Sequence, residues 1–227
     1  MNERLGGYDF HFIGEHLVVL PSGALYWPAR SLLCVSDLHL GKSERLARRG
    51  GLLLPPYEAR ETLQKLEADI AATAPEIVVC LGDSFDDLDA ARALDDDTKS
   101  WLDALIAGRR WIWIEGNHDA GPVEIAGTHL DTLYEPPLVF RHVASGRVRG
   151  EISGHYHPKA RVVSRGRSIT RRCALADAEK AILPAYGTYT GGLRSDAADL
   201  SAMMGPGARA ILLAEPPLVI PMPRAEP

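Results

Sequence analysis

Apolar residues occur in short blocks along this chain, and each early block stops at a polar cluster. Leu17-Val18-Val19-Leu20 and Ala24-Leu25-Tyr26-Trp27 flank Pro21-Ser22-Gly23, a pattern that predicts a β-hairpin. Leu32-Leu33-Cys34-Val35, Ile77-Val78-Val79-Cys80-Leu81 and Trp111-Ile112-Trp113-Ile114 are continuous apolar runs of strand length. Such runs are expected where both faces of a sheet are covered. Between them the spacing changes. Leu63, Leu66 and Ile70 recur at helical intervals after Pro55-Pro56, which predicts a helix over 57–72; a second is predicted over 98–106. This alternation implies an α/β layered core with at least partly parallel strands. Beyond residue 135, runs of Val, Ile, Leu and Tyr alternate with Gly and Pro turns, which implies more strands and fewer helices. No repeat, low-complexity tract or long linker interrupts residues 1–227, so a single domain is expected over 1–227.

Composition narrows the class. Apolar residues are 46% and charged residues 24%, the balance of an ordinary soluble globular protein. The 25 basic and 30 acidic residues leave a formal charge of −5, so the chain as a whole is no polycation. A phosphate-bearing partner therefore needs a local positive site, from arginines or from bound metal. Cys34, Cys80 and Cys173 are widely spaced and form no CxxC pair, which argues against a disulfide framework and against a structural zinc site. Cys34 and Cys80, inside apolar strand-like runs, are expected as buried, reduced thiols. No apolar run approaches the roughly 18 residues of a membrane span, and the N-terminus has no apolar leader segment. A cytoplasmic location and no membrane partner are the expectation.

The polar clusters at the strand ends carry the chemistry. They are Asp37-Leu38-His39, Gly82-Asp83-Ser84-Phe85-Asp86, Gly116-Asn117-His118-Asp119 and Gly154-His155-Tyr156-His157. Ligands of open α/β sheets bind beyond the carboxyl ends of strands, so these clusters can converge. Carboxylate, imidazole and amide oxygen together suit divalent metals of intermediate hardness. Asp-x-His and His-x-His place two side chains on one side of an extended segment. Any one of these histidines taken alone is better read as a core or surface residue. The set, each after an apolar strand, is not.

The order Asp-x-His, Gly-Asp-x-x-Asp, Gly-Asn-His-Asp, His, Gly-His-x-His resembles the calcineurin-like metallophosphoesterase superfamily. The flanking segments Ser36 to Lys42, Leu54-Pro55-Pro56, Gly154 to Pro158 and Leu183 to Leu193 are similar to its bacterial DNA-ligase-associated branch, described as DNA damage response endonucleases. The resemblance implies a four-layer α-β-β-α sandwich with a dinuclear metal site at the strand C-terminal ends. It implies that Asp37, His39, Asp83 and His157 hold one metal, and that Asp83, Asn117, His142 and His155 hold the other, with Asp83 bridging. His142 ends the apolar run Leu138-Val139-Phe140 and is preferred as the family's lone histidine; His129 is the alternative. The implied cofactors are two divalent ions, manganese first, with iron or zinc as alternatives. The implied reaction is hydrolysis of phosphodiester bonds, of DNA in repair, by a hydroxide that two metals activate. His118 would be its catalytic acid or phosphate contact, oriented by Asp86 or by its rival Asp119. DNA ligase or helicase repair partners are implied by the resemblance alone.

Two basic clusters flank these motifs. Lys42, Arg45, Arg48 and Arg49 follow the first. Lys159, Arg161, Arg165, Arg167, Arg171 and Arg172 follow the last, with no acid between Ile152 and Ala176. Lys42, Arg45, Arg165, Arg167 and Arg171 are therefore candidate contacts to a polyanion backbone. The plain alternative is a solvated hairpin. Asp95 to Asp97 are expected to cap the following helix, and Trp101, Trp111 and Trp113 to sit in the core. Tyr186 and Tyr189 lie in a Gly-rich tail that could fold near the site. Two other functions fit the residues: a hydrolase of small phosphodiesters, nucleotides or pyrophosphate esters, and a non-catalytic binding module.

Overall fold

The computed structural model describes residues 5–51, 54–55, 57–119, 125–146, 148–164 and 166–224. Pro56 and Arg165 lie outside the described residues. In chain order the first sheet is built from β1 (Tyr8–Phe12), β2 (Glu15–Val19), β3 (Leu25–Trp27), β4 (Leu32–Val35), β5 (Ile77–Leu81), β6 (Arg110–Ile114) and β7 (Thr128–Leu130), which are neighbours in that order. Helices α1 (Lys42–Arg48), α2 (Glu58–Thr73), α3 (Leu88–Arg92) and α4 (Asp96–Ile106) fall between its strands. The second sheet uses β8 (Thr132–Glu135), β9 (Leu138–Arg141), β10 (Glu151–Ser153), β11 (Lys159–Ser164), β12 (Arg167–Ala176) and β13 (Lys180–Ile182). After α5 (Ala198–Met203) it is completed by β14 (Arg209–Leu212) and β15 (Leu218–Pro221). Its order is β15-β14-β12-β13-β10-β9-β8, with β11 hairpinned onto β12.

The alternation of side chains along each strand explains the layers. On β4, Leu32 and Cys34 face one core while Leu33 and Val35 face another. The first core lies between the sheets, where Val79, Ile112 and Ile114 meet Leu138, Phe140 and Ile152. The second lies under the helices, where Val78, Trp111 and Trp113 meet Leu63, Leu66 and Ile70 of α2 and Leu102 of α4. A third core packs Leu175 and Leu212 of the second sheet against Leu200 of α5. The result is the expected α-β-β-α stack. All three cysteines are buried and unpaired. No helix among the described residues is long and apolar enough to cross a membrane.

The elements that carry the site run parallel. β4 pairs with β5, and β5 with β6, in parallel register, so Val35, Leu81 and Ile114 end at one rim. In the second sheet β9 and β10 are parallel and end at Arg141 and Ser153. The helices that return the chain between these strands were legible where they are long. α2 follows the two prolines, places Glu58 and Glu61 in its first turn against the helix dipole, and stops at Ala74 in the left-handed region. α4 begins as expected: the Asp95 side chain accepts from the Thr98 N–H at 2.7 Å.

Candidate metal centre

The clusters expected at the strand ends meet at the shared rim of both sheets. Beyond β4 and β5 the two chains stay bonded. The Asp37 N–H donates to the Gly82 carbonyl at 3.3 Å, and the His39 N–H to the Asp83 carbonyl at 2.9 Å. The sheets are stitched by the His155 N–H, which donates to Asp37 Oδ2 at 3.0 Å. Close approach is required here. A Cβ on Gly154 would overlap the Ser36 hydroxyl and come within 2.5 Å of Asp37 Oδ2; one on Gly82 would stand 2.5 Å from His142 Nδ1. Asp37, His39, Asp83, His155 and His157 all have positive φ, between 45° and 68°. Such backbone is costly for a side-chain-bearing residue and persists where the surroundings over-determine it, as at functional sites.

Three groups of donor atoms result among the described residues, each set within 4.8 Å of one another: Asp37, His39 and His157 in the first, Asp83, His142 and His155 in the second, and His39, Asp86 and His118 in a third that shares His39 with the first. In the first, His157 Nε2 lies 3.0 Å from Asp37 Oδ1 and 3.5 Å from His39 Nε2. Asp37 Oδ1 is buried and, among the described residues, faces only the His157 ring at that distance without a hydrogen bond, while the Ser36 hydroxyl donates to Asp37 Oδ2. In the second, His142 Nε2 is 2.9 Å from Asn117 Oδ1, 3.2 Å from His155 Nδ1 and 3.4 Å from Asp83 Oδ2. The His142 Nδ1–H is committed to the Leu81 carbonyl at 2.8 Å.

This geometry fits divalent cations on its own terms. Burial disfavours charge on His142, but Asp83 and Asp37 outweigh it and raise it to about 9. Burial likewise opposes the charge of Asp83, yet His142 and the His118 N–H hold it well below the usual carboxylate range. One Nε2 proton then serves three converging acceptors, and the buried Asp37 Oδ1 is left without a hydrogen bond among the described residues. A cation would satisfy all of these lone pairs at once.

His39 is set by its other nitrogen. Its Nδ1–H donates to Asp86 Oδ1 at 2.8 Å, which leaves Nε2 free to face His157. The Asp86 carboxylate, expected to orient His118, lies within 4.8 Å of its ring but makes its hydrogen bond to His39. That carboxylate is fully buried and spent on His39, on Arg45 Nε and, at 3.8 Å, on Lys42 Nζ. Asp119, the rival, is committed to the main chain. It accepts from the backbone N–H groups of Asp83, Ser84, Phe85 and Gly116 at 2.7–3.1 Å and so fixes the two loops. Burial raises the Asp119 carboxyl against the opposing pull of these donors. The partner of His118 is a main-chain group: its Nδ1–H donates to the Asp86 carbonyl at 2.9 Å. Its Nε2 stands 4.0 Å from Asp83 Oδ2, and its side chain is about one-third exposed at 32%.

Over residues 30–174 the chain matches the calcineurin-like phosphoesterase family. The chain belongs to that family. A solved structure, the Pseudomonas putida nuclease MPE, is similar with 28% sequence identity and a TM-score of 0.71, covering 93% of this chain and 100% of that one. No curated protein matches the chain. Calcineurin-like phosphoesterases work with a dinuclear divalent-metal site, and the first two His/Asp groups are where this one could hold its ions. The chain is thus a metal-dependent phosphoesterase enzyme.

The expected residues of this phosphoesterase fall into place unevenly. Asp37, His39, Asp83, Asn117, His142, His155 and His157 converge, and so does His118. His129 does not; its ring stacks on Trp113 at 6.4 Å on β7. The first basic cluster is paired with carboxylates, Arg45 largely covered and Arg48 and Arg49 at the surface. Arg45 pairs with Asp86, Arg48 with Asp87, Glu44 and Asp89, and Arg49 with Asp87. The second cluster is divided by its hairpin. Cross-strand pairing puts Lys159 opposite Arg172 and Arg161 opposite Thr170 on one face, with Arg167 and Arg171 on the other. Ser36, the Leu81 carbonyl and Asp119 are site residues that the motifs did not name. For Ser36 alone there was a signal, its place beside Asp37.

Proposed function

We propose that this phosphoesterase hydrolyses phosphodiester bonds in nucleic acid, DNA first, and that it serves DNA repair in the cytoplasm. The carrying observation is the pair of adjacent His/Asp groups at the shared rim, with His118 beside them and open to solvent. The similarity to a nuclease over the full length of that chain supports the substrate class. Asp37, His39, Asp83 and His157 would hold one ion, and Asp83, Asn117, His142 and His155 the other, with Asp83 shared. When bound, two divalent ions supply Lewis acidity and a water that ionises near neutral pH. Manganese is the ion we assign first, because the mixed N/O donors suit it; iron and zinc suit the same set. Ligase or helicase partners rest on resemblance alone.

The chain's own residues do the rest. Asp86 holds His39 in one tautomer, and the Leu81 carbonyl does the same for His142. Asp119 fixes the loops that carry Asp83 and Asn117. His118 keeps Nδ1–H on the Asp86 carbonyl and presents Nε2 to a substrate oxygen, where it can donate a proton to the leaving alkoxide.

A hydrolase of small phosphodiesters is the second reading. It is favoured by the carboxylate pairing of Arg45, Arg48 and Arg49, which removes one of the two basic flanks. The test is cleavage of labelled single-stranded, duplex and flapped DNA and of a chromogenic diester, each with manganese, iron or zinc, with Asp83→Asn as the inactive control. Cleavage of DNA lost in Asp83→Asn is expected. Turnover of the diester with none of any DNA would overturn the nucleic-acid reading.

A further inference from the structure

A cavity of about 760 Å³ opens between α2, the β11–β12 hairpin and residues 188–190, and the sequence motifs do not account for it. Its walls carry Lys65 of α2, Lys159 of β11, and Arg171 and Arg172 of β12, against one carboxylate, Glu61. Thr188, Tyr189 and Thr190 complete it. The fold brings Lys159 and Arg172 together on one face of the hairpin, while Arg171, on the other face, also lines the cavity. Lys159 and Arg172 are directly opposed across the β11–β12 hairpin, a like-charge pair that costs stability unless an anion lies between or beside them. Among the described residues, none of the four is within ion-pair distance of a carboxylate. The donors of Lys159, Arg172 and Lys65 rest on neutral acceptors instead. Lys159 Nζ donates to the Thr190 carbonyl at 3.4 Å, Arg172 Nη1 to the Ala185 and Gly187 carbonyls at 3.1 and 3.3 Å, and Lys65 Nζ to the Tyr186 carbonyl. Lys65 is also 3.9 Å from the centre of the Tyr186 ring. The nearby Asp69 carboxylate is taken by the Tyr186 hydroxyl at 2.8 Å. Burial and the charge of Arg172 lower Lys65 to about 8, against the weaker opposing pull of Asp69 and Glu61.

The cavity wall is tied to the centre. The Tyr186 N–H donates to the Ser36 carbonyl at 2.7 Å and the Gly187 N–H to the Asp37 carbonyl at 3.0 Å. The Leu193 N–H donates to the Tyr156 carbonyl at 3.1 Å. The segment that lines the cavity at 188–190 is therefore anchored at both ends to the loops that carry Asp37 and His157.

We propose that this cavity is a second phosphate subsite, which takes a backbone phosphate of the substrate strand beyond the bond being cut. The proposal rests on the nucleic-acid reading above. Phosphate there would unite the opposed Lys159 and Arg172, and the exposed Tyr189 offers a face to a neighbouring base.

The test uses the full chain with Lys159→Gln and Arg171→Gln, singly and together, after thermal melting has shown them folded. Binding of a labelled single-stranded oligonucleotide is measured with metal chelated, across a salt series. The double variant should bind about fivefold or more weakly, with a salt slope shallower by roughly 0.7 for each lost contact. The ratio of oligonucleotide to chromogenic-diester kcat/KM should fall with it. Unchanged oligonucleotide binding and slope would overturn the subsite while leaving the nucleic-acid reading intact. An equal fall on both substrates would also overturn it, because the residues would then act through the centre. If the unaltered enzyme turns over the diester but binds no oligonucleotide, both fall. In that case inorganic phosphate that raises the melting midpoint of the unaltered chain, and not of the double variant, would identify a free-anion site in place of a strand subsite.

Discussion

The Asp86 carboxylate accepts the His39 Nδ1–H at 2.8 Å, with both side chains buried, and leaves His118 to the main-chain carbonyl of the same residue. One residue thus sets two histidines by different groups. The side chain acts on His39, a candidate metal ligand, and the backbone acts on His118. Asp86→Asn keeps the shape and the carbonyl but removes the charge. Apparent metal affinity should fall by roughly 10- to 100-fold, as for other partners of ligating histidines, while turnover at saturating metal changes less. Calorimetric metal titration and metal-dependence of activity check this. A variant with intact affinity and collapsed turnover would mean that Asp86 serves His118 after all.

His118 carries the opposite expectation. Its ring is 32% exposed and makes one hydrogen bond, to a carbonyl that remains in place when the ring is gone. His118→Ala should retain metal, measured by elemental analysis after dialysis, and lose roughly 10²- to 10⁴-fold in turnover. Turnover equal to that of the unaltered enzyme would remove its role as acid or phosphate contact.

The contrast between these two histidines marks what was legible in the sequence. Leu32 to Val35 and Ile77 to Leu81 read as strands because both of their faces are covered, which leaves no polar alternation to confuse the pattern. The ligand set was legible because each member directly follows such a strand. Side-chain direction was not. Asp86 and Asp119 both lie near His118, and only the folded loops show one turned to His39 and the other to four backbone donors. Short α1 and α3 were missed for a related reason. Seven and five residues long, they have too little periodicity to read, and they are joined by tertiary ion pairs such as Arg48 to Asp87. The same pairs turned a supposed basic flank into a charge-balanced surface network. Lys65 was unreadable as part of a cavity because its partners lie more than 90 residues away on β11 and β12.

Gly154 tests how tightly the sheets must close at the rim. A methyl group there would overlap the Ser36 hydroxyl and press on Asp37 Oδ2 at 2.5 Å, both of them buried and hydrogen-bonded. Gly154→Ala should therefore lose metal binding and lower the melting midpoint together. Gly191→Ala is the control, because nothing lies within 4 Å of its added carbon. A Gly154→Ala protein that binds metal normally would show that the rim relaxes more readily than its packing implies.

Lys65 supplies a pH signature. Burial and Arg172 lower it from 10.5 to about 8, against the weaker opposing pull of Asp69 and Glu61. Below pH 8 it is charged whether folded or unfolded, and the folded state bears the whole cost of that buried charge, up to roughly 3 kcal/mol for such a displacement. Between pH 8 and 10.5 the folded state sheds the proton first and the cost fades. The buried thiols and Tyr186 work the other way, because burial raises them and the unfolded chain ionises first as pH rises. They are common to any Lys65 variant, so the difference from Lys65→Met isolates the lysine. Loss of the donor to the Tyr186 carbonyl shifts that difference by an amount that does not depend on pH. Urea unfolding should therefore show the stability of the unaltered chain rising relative to Lys65→Met as pH goes from 7 to 10. A gap constant across that interval would mean that the Lys65 ammonium is solvated, and the crowding of cations in the cavity would then be relieved by water.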